Sequence, residues 1–183
     1  MARGSIDIAE ELLVMRAAGG CVRSFSKLTE RWHARLLRHA ARYLRDASAA
    51  EDVAQEAWIA IARGMRRLDD PARFGPWAYR IATNKCADYV RSEAAHRRAA
   101  MAGSRNSTVD SEDDGASTEL RRALAAMPAE RRTLLALHYL EGLSVGQLAE
   151  VFVVPTGTVK SRLFHARAEL KLIIERNNDE ERR

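Results

Sequence analysis

Between Gly157 and Arg167 the chain reads GTVKSRLFHAR. At about 100° per residue, Gly157, Thr158, Lys160, Ser161, Phe164 and His165 fall on one side of a helix, opposite a seam of Val159, Leu163, Ala166 and Leu170. Arg162 and Arg167 flank that seam. Hydroxyl and ammonium groups of this kind reach base edges in a major groove, guanidinium groups reach phosphates, and a glycine removes a side chain where a duplex would approach. A helix N-terminus attracts phosphate as well. The same residues also describe a basic amphipathic helix that merely closes a small bundle, and the pattern alone leaves both open.

Two earlier stretches carry polar stripes of their own. In DASAAEDVAQEAWIAIARG, Val53, Ala57, Ala60 and Ile61 share one helical face, while Asp52, Gln55, Glu56 and Ile59 share another. That second face suits a solvated surface or, because it keeps an isoleucine, a docking surface. In WAYRIATNKCADYVR, Ala78, Ile81, Ala82, Lys85 and Tyr89 line one side, and Trp77, Arg80, Asn84, Asp88 and Arg91 line the other. An aromatic, two guanidinium groups and an amide can grip phosphates and stack on or hydrogen-bond to bases. Equally, Asp88 and Arg91 can pair with each other at i, i+3, and Trp77 can belong to the core.

The elements that must position these stripes are helices. Ala, Leu, Arg and Glu at helical spacing dominate on both sides of residues 102–118, with no β-type alternation, so the fold class is all-α: two small helical domains joined by a flexible linker. Ser48 and Glu51 form an expected capping box for a helix from about Ala49 to Arg63, which Gly64 would stop, and a second helix is expected from Trp77 after the loop LDDPARFGP. In the second domain a short helix covers Thr118–Ala126, Pro128 suits the first turn of the next, and Gly142 ends it. Ser144 and Gln147 form another capping box, Val153, Val154 and Pro155 break the helix they open, and the helix carrying GTVKSRLFHAR follows. Two helices joined by so short a turn, the second basic on its outer side, make a helix-turn-helix. The expected division is residues 1–98, an acidic flexible linker over 99–117, and residues 118–183.

Charge supports an anionic partner without demanding one. The 183 residues carry a net charge of +5; residues 1–100 hold 18 basic against 12 acidic side chains, residues 119–183 hold 11 against 9, and the intervening segment holds 1 against 4. Cys21 and Cys86 form no CxxC pair and no Cys/His cluster, so neither a metal site nor a disulfide framework is expected, and both thiols read as buried or half-buried residues of a reduced compartment. No segment suits a bilayer, and acids interrupt the N-terminus where a signal peptide needs an apolar run; the expected location is the cytoplasm, with no membrane insertion.

In this order and spacing, AEDVAQE, WAYRIATNKCADYVR, the polar linker, and MPAERRTLLALHYLEGLSVGQLAE followed by GTVKSRLFHAR resemble bacterial RNA polymerase sigma factors, specifically the two-domain extracytoplasmic-function (ECF) group. The resemblance covers nearly the whole chain. It implies that the first domain binds core RNA polymerase and the −10 promoter element, and that the second reads the −35 element. Asp52, Gln55 and Glu56, with Ile59 on the same face, match the motif that docks on the clamp of the largest polymerase subunit. Trp77, Arg80, Asn84, Asp88 and Arg91 fall in the −10 segment, where Asn84, Asp88 and Arg91 fit its IAxNxxxDxxR signature. Gly157, Thr158, Lys160, Ser161, Arg162, His165 and Arg167 fall in the −35 recognition helix. The resemblance further implies an alternative sigma factor without catalytic activity or cofactor, and with an anti-sigma partner.

Three positions depart from the family pattern. Val153 stands where glycine is usual in the helix-turn-helix turn, Cys21 follows Gly20 where an acid is usual, and His165 replaces a common arginine. Two other readings compete: a stand-alone helix-turn-helix regulator, which leaves the Asp52 face unexplained, and a helical nuclease using His33 and His39, for which no acid/base or metal spacing is present.

Overall fold

The computed structural model describes residues 8–44, 46–100 and 118–181. These form eight α-helices and two 3-10 turns, and no strand occurs among the described residues. The helices divide into two compact units, α1 to α4 and α5 to α8. The segment 101–117, and with it the expected flexible acidic tether, lies outside the described residues.

In the first unit α1 (Ile8–Ala18), α2 (Val22–Leu44), α3 (Ala47–Gly64) and α4 (Phe74–Ala100) pack on one another, with 3-10 turns at Met65–Arg67 and Pro71–Arg73. The i, i+4 spacing of Leu28, Trp32, Leu36 and Ala40 puts them on one face of α2, and all four are buried against the other helices of the unit. Leu28 and Leu36 are wholly inaccessible, each contributing about 1.5–3 kcal/mol of transfer free energy. Around them Trp32 meets Phe74 and Tyr79 edge-on, with ring centroids 5.3 and 5.7 Å apart. Arg16, Ala17, Gly20 and Cys21 close α1 with paired backbone bonds, Cys21 N–H to Arg16 O and Gly20 N–H to Ala17 O, and Gly20 supplies the positive φ of 92° that this cap requires.

The sequence misplaced some ends in this unit. The cap of α3 is Asp46, whose carboxylate accepts from Ala49 N–H at 3.1 Å, so the helix begins before Ser48 and the expected Ser48–Glu51 box does not form. Gly64 is the last residue of α3, as expected, but its backbone is right-handed and leads into a 3-10 turn; a Cβ there would sit 3.0 Å from the Trp77 ring, so its smallness serves packing. Likewise α4 begins at Phe74, ahead of Trp77, and continues to Ala100. Cys86 is buried as expected, and burial pushes its thiol up to about 12, but Cys21 is exposed at the start of α2, with its thiol held lower by the Ser24 hydroxyl 3.3 Å away.

His39 is a core residue. Thr83 donates its hydroxyl proton to Tyr79 O at 2.8 Å and therefore accepts from His39 Nε2, 2.9 Å away. Burial first, and the neighbouring Arg42 second, push its pKa down to about 3. A histidine kept neutral by the fold gives stability that is complete above its unfolded pKa of about 6.5 and drains away as pH falls towards 3, by about 1.4 kcal/mol per pH unit. The denaturant midpoint of the first unit should therefore fall between pH 7 and 5.5, and His39→Asn, which keeps a donor for Thr83, should flatten that fall. An equally steep fall in the variant would assign the effect elsewhere.

The second unit consists of α5 (Thr118–Ala126), α6 (Ala129–Tyr139), α7 (Val145–Phe152) and α8 (Thr156–Glu181), with α5 and α6 both packed on α8. Pro128 and Pro155 stand one residue before their helices, not inside the first turn; the carbonyl of each accepts the first helical bond, from Arg132 and Val159. Arg132 is buried and closes the C-terminal end of α5 by donating to Met127 O at 3.1 Å. The Ser144–Gln147 capping box forms in both directions, at 3.2 and 2.8 Å, and Gly142 takes the positive φ of 71° before it.

Val153 ends α7 in the left-handed region, φ 53° and ψ 50°, while Val154 N–H reaches back to Ala149 O. A β-branched side chain there costs roughly 1–2 kcal/mol, and at 68% exposure Val153 recovers little by burial. Val153→Gly should stabilise the second unit by about 1 kcal/mol and raise its melting temperature by roughly 4–8 °C. A calorimetric scan showing no rise would mean that the turn carries no strain.

Candidate functional site

Three surfaces emerge from these helices. The first lies where α3 packs along α4. Ala50, Val53 and Cys86 join Ala40 in a small buried cluster with Tyr89 packed against it, and this contact turns Asp52, Gln55 and Glu56 outwards. Ile59 remains 45% exposed on the same face. All four line a groove of about 530 Å³ whose opposite wall is Lys85, Asp88, Tyr89 and Ser92. Lys85 crosses it, with Nζ 2.9 Å from Glu56 Oε2. The polar face on α3 is thus one side of a concave, largely acidic feature.

The second surface is the outer stripe of α4. Arg80, Asn84, Asp88 and Arg91 are exposed, as their spacing predicts, and Arg91 donates to the Asp88 carboxylate. This i, i+3 pair is the structural option that the spacing left open. Trp77 does not project with them: it is half-buried between Phe74, 6.1 Å away by ring centroid, and the missing side chain of Gly64. Its ring is anchored at the edge of the stripe.

The third surface is the N-terminal half of α8. Val159, Leu163 and Ala166 are buried and Leu170 is half-buried, so the seam is as expected. Gly157, Lys160, Ser161, Arg162 and His165 are exposed, Thr158 is half-exposed, and Phe164 stands 65% exposed beside the His165 ring. A Cβ added at Gly157 would meet nothing within 4 Å, so the fold itself does not require this glycine. Arg167 is tied down: Nε donates to Leu163 O and one terminal nitrogen to the Tyr139 hydroxyl, both at 3.2 Å. Arg131 and Glu169 form an ion pair at 2.7 Å, and by helical angle Glu169 lies on the other flank of the seam. Together the two ties span α6 and α8 and fix which way the outer face points.

Of the residues that the sequence singled out, the structure unites Asp52, Gln55, Glu56 and Ile59 with Asp88, which spacing had placed in a different stripe. It also adds Lys85, Tyr89 and Ser92 to that feature. Lys85 and Glu56 are 29 residues apart, and no local pattern signals their pairing. Phe164 shared the outer face by periodicity, and only its exposure shows that it is not core. The histidines of the enzyme reading do not meet: His33 is exposed while His39 is buried on Thr83. Among the described residues no group of three His, Cys, Asp or Glu side chains could hold a metal ion.

Two family descriptions match this arrangement: Sigma-70 region 2 over residues 28–96 and Sigma-70, region 4 over residues 117–170. RNA polymerase sigma-H factor of Pseudomonas aeruginosa is 30% identical, across 86% of this chain and 90% of that protein. ECF RNA polymerase sigma factor SigM of Mycobacterium tuberculosis is 31% identical, across 90% and 83%. The chain belongs to the ECF RNA polymerase sigma factors. Its first unit, with two of the three surfaces, corresponds to region 2, its helix-turn-helix unit to region 4, and as an alternative sigma factor it serves transcription initiation. The fold is shared with sigma factor RpoE from Bartonella quintana, solved with the anti-sigma factor NepR: TM-score 0.74 at 19% identity, covering 84% of this sigma factor and 98% of that chain. CnrH, solved with the cytosolic domain of CnrY, gives a TM-score of 0.66 at 24% identity, over 91% and 97%. No described helix is long and apolar enough to cross a membrane.

Proposed function

We propose that this sigma factor docks on the clamp of the largest core polymerase subunit through Asp52, Gln55, Glu56 and Ile59, holds the −10 element with the outer stripe of α4, and reads the −35 element with α8. Arg80, Asn84 and Arg91 grip the −10 strand and its backbone; Trp77 buttresses the edge of that stripe; Asp88 orients Arg91. On α8, Thr158, Lys160, Ser161 and His165 meet base edges in the major groove, Arg162 and Arg167 meet phosphates, and Gly157 lets the duplex come close. The protein performs no catalytic step: it selects and opens the promoter, and the polymerase carries out the chemistry, in the cytoplasm. An anti-sigma protein covers these surfaces until it is released, a reading supported by the similar fold of sigma factor RpoE from Bartonella quintana, which was solved in complex with the anti-sigma factor NepR.

The observation that carries this reading is the emptiness around Gly157 on an otherwise cationic and hydroxylic helix face, because nothing within the fold accounts for it. The test is initiation by purified protein and core polymerase on a promoter library. Transcription from a defined promoter class is the expected result. Tight binding of duplex by the protein alone, with no promoter transcribed, would favour the stand-alone regulator.

A further inference from the structure

Outside the three surfaces, one strongly charged face remains. On α2, Leu28, Trp32, Leu36 and Ala40 are buried, and nearly opposite them, within about 80° of arc, Arg23, Lys27, Arg31 and Arg38 are all exposed. Exposed Ala34 fills the gap between Arg31 and Arg38, so the stripe runs for about 22 Å of helix. Arg35 and Arg42 border it on one side, the Arg35 guanidinium lying 4.5 Å from the centre of the Trp32 ring. Glu30 borders it on the other and is the single acid of α2. Among the described residues no ion pair neutralises Arg23, Lys27, Arg31 or Arg38.

The stripe works against its own helix. Arg23 with Lys27, Lys27 with Arg31, Arg31 with Arg35, and Arg38 with Arg42 are like charges at i, i+4, a spacing that weakens a helix and that an external anion relieves. The stripe carries no aromatic, amide or large apolar side chain. It therefore lacks both the apolar centre of a protein interface and the stacking platforms that hold unpaired bases. What it offers is positive charge along a line. The ligand that matches is the backbone of duplex DNA, which presents a negative charge about every 3.4 Å along each strand.

We propose that the outer face of α2 is a sequence-independent track for the phosphate backbone of duplex DNA, engaged while the sigma factor is bound to polymerase. It adds affinity without choosing bases, since phosphate contacts carry no sequence information. The track is separate from the faces of α4 and α8, so its test does not depend on the roles of their residues.

That test measures equilibrium binding of a promoter fragment by the full chain with core polymerase, at several salt concentrations. Arg23→Gln, Lys27→Gln, Arg31→Gln and Arg38→Gln combined should weaken binding at least about tenfold and lower the slope of log K against log salt by about 2–4, because each lost phosphate contact removes about 0.9. Promoters with altered −10 or −35 bases should lose affinity in the same proportion, with core binding and circular dichroism unchanged. Arg23→Lys, Arg31→Lys and Arg38→Lys combined should bind within about twofold of wild type, because this contact needs the charge and not the guanidinium fork. Glu30→Gln should tighten binding about twofold, a gain that a damaged fold does not produce. An unchanged salt slope, a loss confined to one promoter sequence, or a parallel loss of core affinity, which would make the partner a protein, overturns the inference. So does an equal loss on neutralising Asp110, Glu112, Asp113 and Asp114, because the stripe would then hold that segment of the chain instead of DNA.

Discussion

Asp52→Lys combined with Glu56→Lys should weaken binding to core RNA polymerase by at least about 100-fold, since each reversal turns an attractive contact into a repulsive one and like charges across an interface cost several kcal/mol. The fold should survive. Both positions are exposed, whereas Val53, Ala57 and Ile61 on the inner side of the same helix keep α3 packed. Glu56→Lys does bring a second ammonium towards Lys85, but that pair is partly solvated, so only a modest loss of stability is expected. Core binding measured by competition, beside an unchanged helical circular dichroism signal, decides the matter. Retained binding within about threefold would mean that the acidic face is a solvated surface after all.

Gly157→Leu should abolish transcription from −35-dependent promoters, by more than about tenfold, while leaving the second unit at least as stable as before. The two halves of this expectation have one cause. Beyond the adjoining residues and backbone of α8 itself, nothing lies within 4 Å of the position that a Cβ would take, so leucine fits the isolated fold and improves helix propensity. The same side chain would project from the outward face between Ser161 and Phe164, where a major groove must close on the helix. In vitro transcription and a thermal scan of one preparation provide both readouts. Normal transcription in the variant would refute close approach, and a fall in stability would show that the glycine serves the fold.

Much of the architecture was legible because it is encoded within one or two helical turns. The buried seam of α8, the Ser144–Gln147 box and the Gly142 turn each depend on residues three or four apart, and each is present as read. Val153 stood out only through the family resemblance, which puts glycine at that turn, and its φ of 53° is the left-handed backbone that glycine adopts freely. The misreadings arose where a local signal had a local competitor. Asp46 outcompeted Ser48 for the start of α3 because it lies one residue outside the helix, with its carboxylate aimed at the first free amides. Gly64 ends α3 as read, but it is also a niche for Trp77, and a ring contributed from another helix is invisible to periodicity. Cys21 read as a buried thiol because free cysteines usually are, yet a cap between two helices leaves it exposed.

The sequence by itself determined that this protein is two helical units, which faces of α3, α4 and α8 are polar, and that the order of its motifs is that of an ECF sigma factor. Hydrophobic periodicity settles those faces, because burying the apolar stripe forces the remaining residues outwards. The tertiary structure alone decided how the faces are joined. It set Lys85 on Glu56 across 29 residues, brought Asp88 to the edge shared by two surfaces, and tied Arg167 to Tyr139. Such pairings depend on the packing distance and relative rotation of two helices. Those are fixed by the whole buried core, and no stretch of sequence short enough to read by pattern contains them.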